Sequence, residues 1–153
     1  MNYHKIENPI KKQKIVRDVL ESLPEWFEIV ESREEYIRES SELTCFGAFN
    51  GGNPVGFLCL KETGKDTIEL HVIGVKKEYH RKGIGKHLFL MAKDFSIEKN
   101  YSFMQVKTVK MGTFENYDKT NLFYISLGFK EFEVFPTLWD ESNPCQIYVM
   151  YLK

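Results

Sequence analysis

Residues Val75 to Leu88 read V-K-K-E-Y-H-R-K-G-I-G-K-H-L, and the chain changes its periodicity across them. Upstream, Ile68 to Val75 is an apolar run rich in strand formers. Downstream, Ile84, Leu88, Met91, Ala92 and Phe95 recur at the spacing of one helix face. The stretch therefore predicts a strand, a turn and a helix start lined by Gly83 and Gly85, with Arg81, Lys82 and Lys86 around it. The first N–H groups of a helix have no carbonyl partner within it, and the macrodipole makes that end positive, so such a start attracts anions. Glycine has no Cβ to hold a bulky group away from the main chain. A phosphate-bearing ligand is the expected guest.

Neither the G-x-x-x-x-G-K-[ST] of a P-loop nor the G-x-G-x-x-G of a dinucleotide fold is present, and a bare G-x-G also serves close helix packing. This stretch alone leaves the ligand open. A second segment adds to it: Asn121 to Phe129 reads N-L-F-Y-I-S-L-G-F, a short helix ending at Gly128 with a strand beginning at Phe129.

Together these residues resemble the GNAT superfamily of acetyl-CoA-dependent N-acetyltransferases. That family's pyrophosphate signature is a Gln or Arg, two residues, Gly, one residue, then Gly or Ala. Here it stands as His80-Arg81-Lys82-Gly83-Ile84-Gly85, with His80 departing from the usual first residue. The later motif, an aromatic pair, three residues and Gly-Phe, stands as Phe123-Tyr124, Ile125-Ser126-Leu127, Gly128-Phe129. An Asn often lies seven residues before the tyrosine, and here that position is Tyr117. The resemblance runs from about Ile68 to the C-terminus.

The resemblance implies an α/β (α+β) fold: a central, mixed, mostly antiparallel and strongly twisted sheet of six to seven strands. About four helices flank it, and it splays at its central strands. Residues 1–153 form one domain in this expectation. The implied co-substrate is acetyl-CoA, with no metal. Its implied contacts are Ile73 and Val75 on the central strand, then His80, Arg81, Lys82, Gly83, Ile84, Gly85 and Lys86, and finally Tyr117, Thr120, Phe123 and Tyr124.

Acetyl transfer to an amine requires a neutral amine, a stabilised oxyanion and a proton for the leaving thiolate. A primary amine is mostly ammonium at neutral pH, so a base must take a proton. The resemblance points to Glu69, eleven residues before His80, the spacing of the general-base glutamate in histone-type members; a salt-bridged strand residue is the plain alternative. His71 lies two residues on and faces the same side of the strand. It titrates near neutrality and is the second candidate. Tyr124 occupies the position at which the family hydrogen-bonds the coenzyme sulfur and, in many members, protonates the thiolate. A phenol of pKa about 10 holds its proton at neutral pH and can still release it to a thiolate. Phe123 reads as a core aromatic. A backbone N–H near Val75 is the implied oxyanion donor.

Three functions fit these residues. One is an N-acetyltransferase moving acetyl to a primary amine of a small molecule or peptide in a ternary complex, which the motifs favour. The second is a non-catalytic acyl-CoA-binding regulatory module. The third is an unrelated nucleotide-binding or interaction domain in which the two glycines only pack.

The remainder of the chain is consistent with a globular protein. At 153 residues, 42% hydrophobic and 14% aromatic, it can bury a core. A formal net charge of −1 gives no case for nucleic acid or an anionic membrane as partner. Cys45, Cys59 and Cys145 lie far apart in apolar stretches, without C-x-x-C, and read as buried thiols of a cytoplasmic protein. His71, His80 and His87 lack metal-ligand spacing. A monomer or a homodimer is expected. Lys14 to Leu23 reads as a helix closed by Pro24, and Ser32 to Ser40 as a helix with a Ser32/Glu35 capping box. Thr44–Phe49 and Pro54–Lys61 flank a hairpin turn at Asn50-Gly51-Gly52-Asn53. Tyr101–Val109 is a strand, Asp118 caps a helix through Leu127, and Phe129–Phe135 and Cys145–Leu152 are strands. Phe135 to Pro144 reads as a loop, either an acceptor wall in which Asp140 and Glu141 attract a cationic amine or a plain connection anchored by Trp139. Trp26, Phe27 and Tyr36 read mainly as packing.

Overall fold

The computed structural model describes residues 1–153. The strands are β1 (Asn2–Ile6), β2 (Thr44–Asn50), β3 (Asn53–Gly64), β4 (Thr67–Val75), β5 (Phe103–Val109), β6 (Lys130–Asp140) and β7 (Asn143–Tyr151). The α-helices are α1 (Pro9–Glu21), α2 (Val30–Ser40), α3 (Ile84–Glu98) and α4 (Glu115–Ser126). Sheet order is β1-β2-β3-β4-β5-β7-β6. Pairing is parallel between β4 and β5 and antiparallel for β1–β2, β2–β3, β5–β7 and β6–β7. The mixed seven-stranded sheet with four helices expected from the sequence is what the chain forms. The β4–β5 ladder covers only Thr67 to Glu69. No helix is long and apolar enough to cross a membrane.

Residues group into two compact units, Met1–Lys61 with His71–Phe95, and Glu62–Leu70 with Ser96–Lys153. In the first, Gly51 and Gly52 take φ of 57° and 89°, the left-handed pair that a two-residue hairpin turn requires. Helix α1 starts earlier than Lys14. Asn8 caps it by accepting the Lys11 N–H at 2.9 Å, and Pro9 opens it. The apolar stripe begins only at Ile15, because the first turn is exposed, and that hid the start. Ile15, Val16, Val19 and Leu20 are buried on its inner face. Gly74 lets this face come close: a Cβ there would lie 3.0 Å from Val19 and 3.1 Å from Phe57. Helix α2 begins at Val30, with Ile29 at the cap position and no side-chain cap bond. Ser32 is thus inside the helix and the expected capping box does not form. Glu31 places the favourable charge in the first turn instead.

In the second unit, α4 begins at Glu115 rather than at Asp118. The Asp118 carboxylate accepts the Gly112 N–H at 2.7 Å and closes the loop before the helix. The helix ends as expected at Gly128, whose φ is 106°. Gly128 N–H donates to Ile125 O (3.0 Å) and Phe129 N–H to Tyr124 O (3.2 Å), the two bonds of a Schellman ending. The expected loop from Phe135 to Pro144 is instead the extension of β6 and β7 into one long hairpin. Asp140 makes its turn, accepting the Ser142 N–H at 2.9 Å and the Asn143 amide at 3.0 Å. Trp139 is exposed and anchors nothing. Bulky residues at a hairpin tip resemble those of a structured loop, so composition misled here.

Candidate active site

Strand β4 alternates. Ile68, Leu70, Val72 and Gly74 are buried on one face, while Ile73 and Val75 on the other are half-buried. After Val75, residues Lys77–Tyr79 make one 3-10 turn. The ring of His80 turns back, and its Nε2 lies 2.6 Å from the Val75 carbonyl. A carbonyl only accepts, so Nε2 carries the proton. The Trp26 ring meets the His80 ring edge-on at 5.9 Å. The residue that departs from the family signature therefore ties the turn to the end of β4.

The chain then bends left-handed twice, at Arg81 (φ 61°) and Gly83 (φ 79°). Such a φ costs a side-chain-bearing residue roughly 1–2 kcal/mol, which glycine avoids. A Cβ at Gly83 would find open space within 4 Å, so the constraint there is conformational rather than steric. The Gly83 carbonyl accepts the His87 N–H at 3.0 Å, which puts Gly83 at the cap of α3. It has no side chain to cap with. The N–H groups of Ile84, Gly85 and Lys86 precede the first intrahelical donor, and the first turn contains no acid.

Charge at this turn is sorted. Lys76 pairs with Asp18 and Lys77 with Glu25, each at 2.7 Å. Arg81, Lys82 and Lys86 are exposed and carry no ion pair. Ile84 is buried, 3 % exposed, and holds the helix start in place. A Cβ on Gly56 of β3 would come within 3.1 Å of the Gly74 carbonyl and 3.4 Å of the Ile84 side chain. Turn and strand end are thus fixed by close packing. The arrangement fits a pyrophosphate: main-chain donors without acceptors of their own, exposed cations beside them and no acid in the first turn of the helix.

Glu69 is buried, 5 % exposed, within the second unit. Its Oε1 lies 3.3 Å from Lys107 Nζ. The register explains the pair, since Glu69 is opposite Gln105 and Lys107 follows two residues on, on the same face. His71 belongs to the first unit, and its Nε2 is 2.9 Å from Glu39 Oε1. Lys61 Nζ is 3.0 Å from the other oxygen of Glu39. Burial works to raise the Glu39 pKa, but the bonds from His71 and Lys61 win and hold it below the ordinary glutamate range. The Tyr36 ring lies edge-on to His71 at 5.2 Å. Trp26, Phe27 and Tyr36 pack, partly buried, against the apolar cluster of this unit.

Tyr124 is 5 % exposed, with Phe129 edge-on at 6.0 Å and Tyr148 tilted at 6.4 Å. Phe123, Thr120 and Tyr117 are half-buried on the same helix. The residue that organises this segment, Asn121, escaped the sequence reading. It is fully buried. Its amide donates to Val109 O at 2.8 Å and Tyr117 O at 2.7 Å, and its oxygen accepts the Tyr148 hydroxyl at 2.6 Å. The available signal was an Asn in line with Tyr117, Tyr124 and Gly128, the four falling at i, i+4, i+7 and i+11 with Asn121 second, a polar residue on the inward stripe. Its three bonds fix the rotation of α4 and hence the direction of Tyr124.

A model of the acetyltransferase (GNAT) family matches residues 13–129. The chain belongs to this family. Solved structures share its fold at low identity. A GNAT-family protein from Desulfovibrio desulfuricans superposes with a TM-score of 0.84 at 18% identity, over 99% of each chain. An aminoglycoside 6'-N-acetyltransferase complexed with coenzyme A gives 0.78 at 20%, over 100% of this chain and 98% of that one. The aminoglycoside 6'-N-acetyltransferase from Enterococcus faecium gives 0.77 at 19%, with the same coverage.

Proposed function

We propose that this chain, acting as one domain, transfers the acetyl group of acetyl-CoA directly to a primary amine of a small molecule or peptide. The observation that carries the reading is the start of α3, where three main-chain donors and three unpaired cations surround a helix end that the protein itself leaves uncapped. His80, Arg81, Lys82, Gly83, Ile84, Gly85 and Lys86 hold the pyrophosphate. Ile73 and Val75 line the pantetheine arm, and the partial β4–β5 ladder supports this role because the strand beyond Glu69 is not paired with β5. Tyr117, Thr120 and Phe123 complete the coenzyme contacts.

In the transfer, the amine nitrogen bonds to the thioester carbon and its proton passes to a base. A main-chain N–H near Val75 stabilises the oxyanion. The carbon–sulfur bond then breaks, and the thiolate takes the phenolic proton of Tyr124. Two groups on β4 are candidates for the base. Glu69 is tied to Lys107 at 3.3 Å. His71 is oriented by Glu39. The reading requires no metal and places the reaction in the cytoplasm.

The experiment follows release of the coenzyme thiol over a panel of amines, using wild type, Tyr124→Phe, Glu69→Gln and His71→Gln. Turnover lost in Tyr124→Phe with acetyl-CoA affinity retained supports transfer. Loss of the neutral-pH limb of kcat in His71→Gln assigns the base to histidine, and its loss in Glu69→Gln assigns it to glutamate. Acetyl-CoA binding with no turnover on any amine, and no effect of Tyr124→Phe, would leave a binding module.

A further inference from the structure

The antiparallel register of β2 and β3 sets Cys45 directly opposite Cys59. Opposed residues of an antiparallel pair have Cα atoms about 4.5–5.5 Å apart, inside the range that a disulfide spans. Both side chains are 0 % exposed, and their sulfurs lie 2.7 Å apart. A bond of about 2.05 Å needs a further approach of less than an ångström. Neither thiol has a part in acetyl transfer. We propose that Cys45 and Cys59 are a dithiol modification site, converted by a hydroperoxide into an intramolecular cross-strand disulfide and restored by a thiol reductant.

The step balances in two stages. One thiol takes an oxygen from the peroxide, giving a sulfenic acid and water; the facing thiol displaces that hydroxyl, forming the sulfur–sulfur bond and a second water. The two-electron oxidation of the dithiol is matched by reduction of the peroxide. Because the second sulfur is already in place, the sulfenic acid is captured before further oxidation. Burial pushes the Cys59 thiol up, with Cys45 beside it adding to the effect. Thiolate is therefore scarce, and the first stage is slow until the hairpin opens.

Position gives the bond a consequence. The cysteines are fourteen residues apart, and the chain between them contains the Gly51-Gly52 turn and Asn50. The Asn50 amide donates to the Tyr79 hydroxyl at 3.0 Å, beside the anion-binding turn. Cys45 Sγ also lies 3.6 Å from the Ser40 carbonyl, where α2 hands over to β2. Oxidation locks this hairpin in its native register. Cys145, on β7 in the second unit, has its thiol raised to about 11 by burial and serves as the internal control.

The test has two arms on the full-length wild-type protein. One treats folded protein with hydrogen peroxide; the other refolds it from denaturant in a glutathione redox buffer. Both samples are then denatured, alkylated with N-ethylmaleimide and mapped by peptide mass spectrometry. A Cys45–Cys59 cross-linked peptide in both arms, with Cys145 alkylated, is the expected result; a cross-link in the glutathione arm alone would overturn the hydroperoxide step. Reversal by dithiothreitol should accompany it, with a melting midpoint about 5–10 °C above that of the reduced form. Three alkylated cysteines in both arms, or a cross-link that uses Cys145, would overturn the proposal.

Discussion

Helices α1 and α3 both start in the first unit and bury apolar stripes, yet their N-termini are built from opposite materials. At α1, Asn8 accepts a first-turn N–H and Pro9 removes another donor, so the helix end is satisfied from within. At α3, the cap residue is Gly83, the first turn contains no acid, and Arg81, Lys82 and Lys86 stand without ion pairs. The other two helices, α2 and α4, place Glu31 and Glu115 with Asp118 in their first turns. Only α3 meets its dipole with neither a side-chain cap nor a first-turn acid. A helix start left in that state is stabilised by whatever anion it binds, and under the proposed function that anion is the coenzyme pyrophosphate.

The sharpest way to break the contrast is Gly85→Glu. A glutamate in the first turn suits the dipole, so the helix should persist. Its carboxylate, however, takes the place of the phosphate. Losing two charge-assisted bonds, at about 1.5–3 kcal/mol each, predicts that calorimetric affinity for acetyl-CoA falls about 100-fold or more, with an unchanged circular dichroism spectrum. Next in size is Tyr124→Phe, expected to lower kcat about 100-fold while leaving the dissociation constant of acetyl-CoA within a factor of about two. A comparable fall in affinity would show that Tyr124 acts in binding rather than in proton transfer.

Asn8→Ala supplies the matching perturbation at α1. It should cost about 1 kcal/mol of stability in urea unfolding and leave acetyl-CoA binding unchanged. The two helix starts would then be separated by experiment, one serving the fold and the other the ligand. The smallest effect is expected at Glu39. A carboxyl whose folded pKa lies below its unfolded value adds stability that is present above the unfolded pKa and lost as pH falls through the folded one. Wild type should therefore lose stability as pH drops below about 4.3. Glu39→Gln should remove part of that slope in urea midpoints measured across the range.

The same contrast shows where the sequence was readable. The α3 start was legible because its signals are local: a strand run, two glycines, basic residues and a 3.6-residue stripe lie side by side. The Gly51-Gly52 turn and the Gly128 ending were legible for the same reason, since each demands a positive φ that glycine alone takes without cost. The start of helix α1 is hidden because its cap, Asn8, lies about two turns before its first buried residue, Ile15. The Ser32/Glu35 pair matched a capping box, but the chain continued the helix upstream and left Ser32 inside. The tip of the β6–β7 hairpin, with Pro136 and Trp139, matches a loop in composition, but it is extended chain that bulges between the Phe135–Cys145 and Asp140–Asn143 pairs.

The candidate site divided in a similar way. Its motif residues could be named in advance, but their partners could not. The ion pairs Glu69–Lys107 and His71–Glu39 join residues 38 and 32 positions apart, and only register and packing bring them together. Asn121 shows the same limit, because a buried amide is recognised by what it bonds, and Val109 and Tyr148 come from two other strands. The bond from His80 to Val75 was also invisible beforehand, because it depends on the ring turning back onto the end of β4.

The most direct test of the central claim is calorimetric titration of the wild-type protein with acetyl-CoA, with ATP and NAD as controls and Gly85→Glu alongside. Micromolar binding of acetyl-CoA that the variant loses, with neither control binding comparably, is the result this account predicts. Absence of acetyl-CoA binding to the folded wild type, or equal binding by the variant, would contradict it and leave Gly83 as a residue required only by the backbone of the turn.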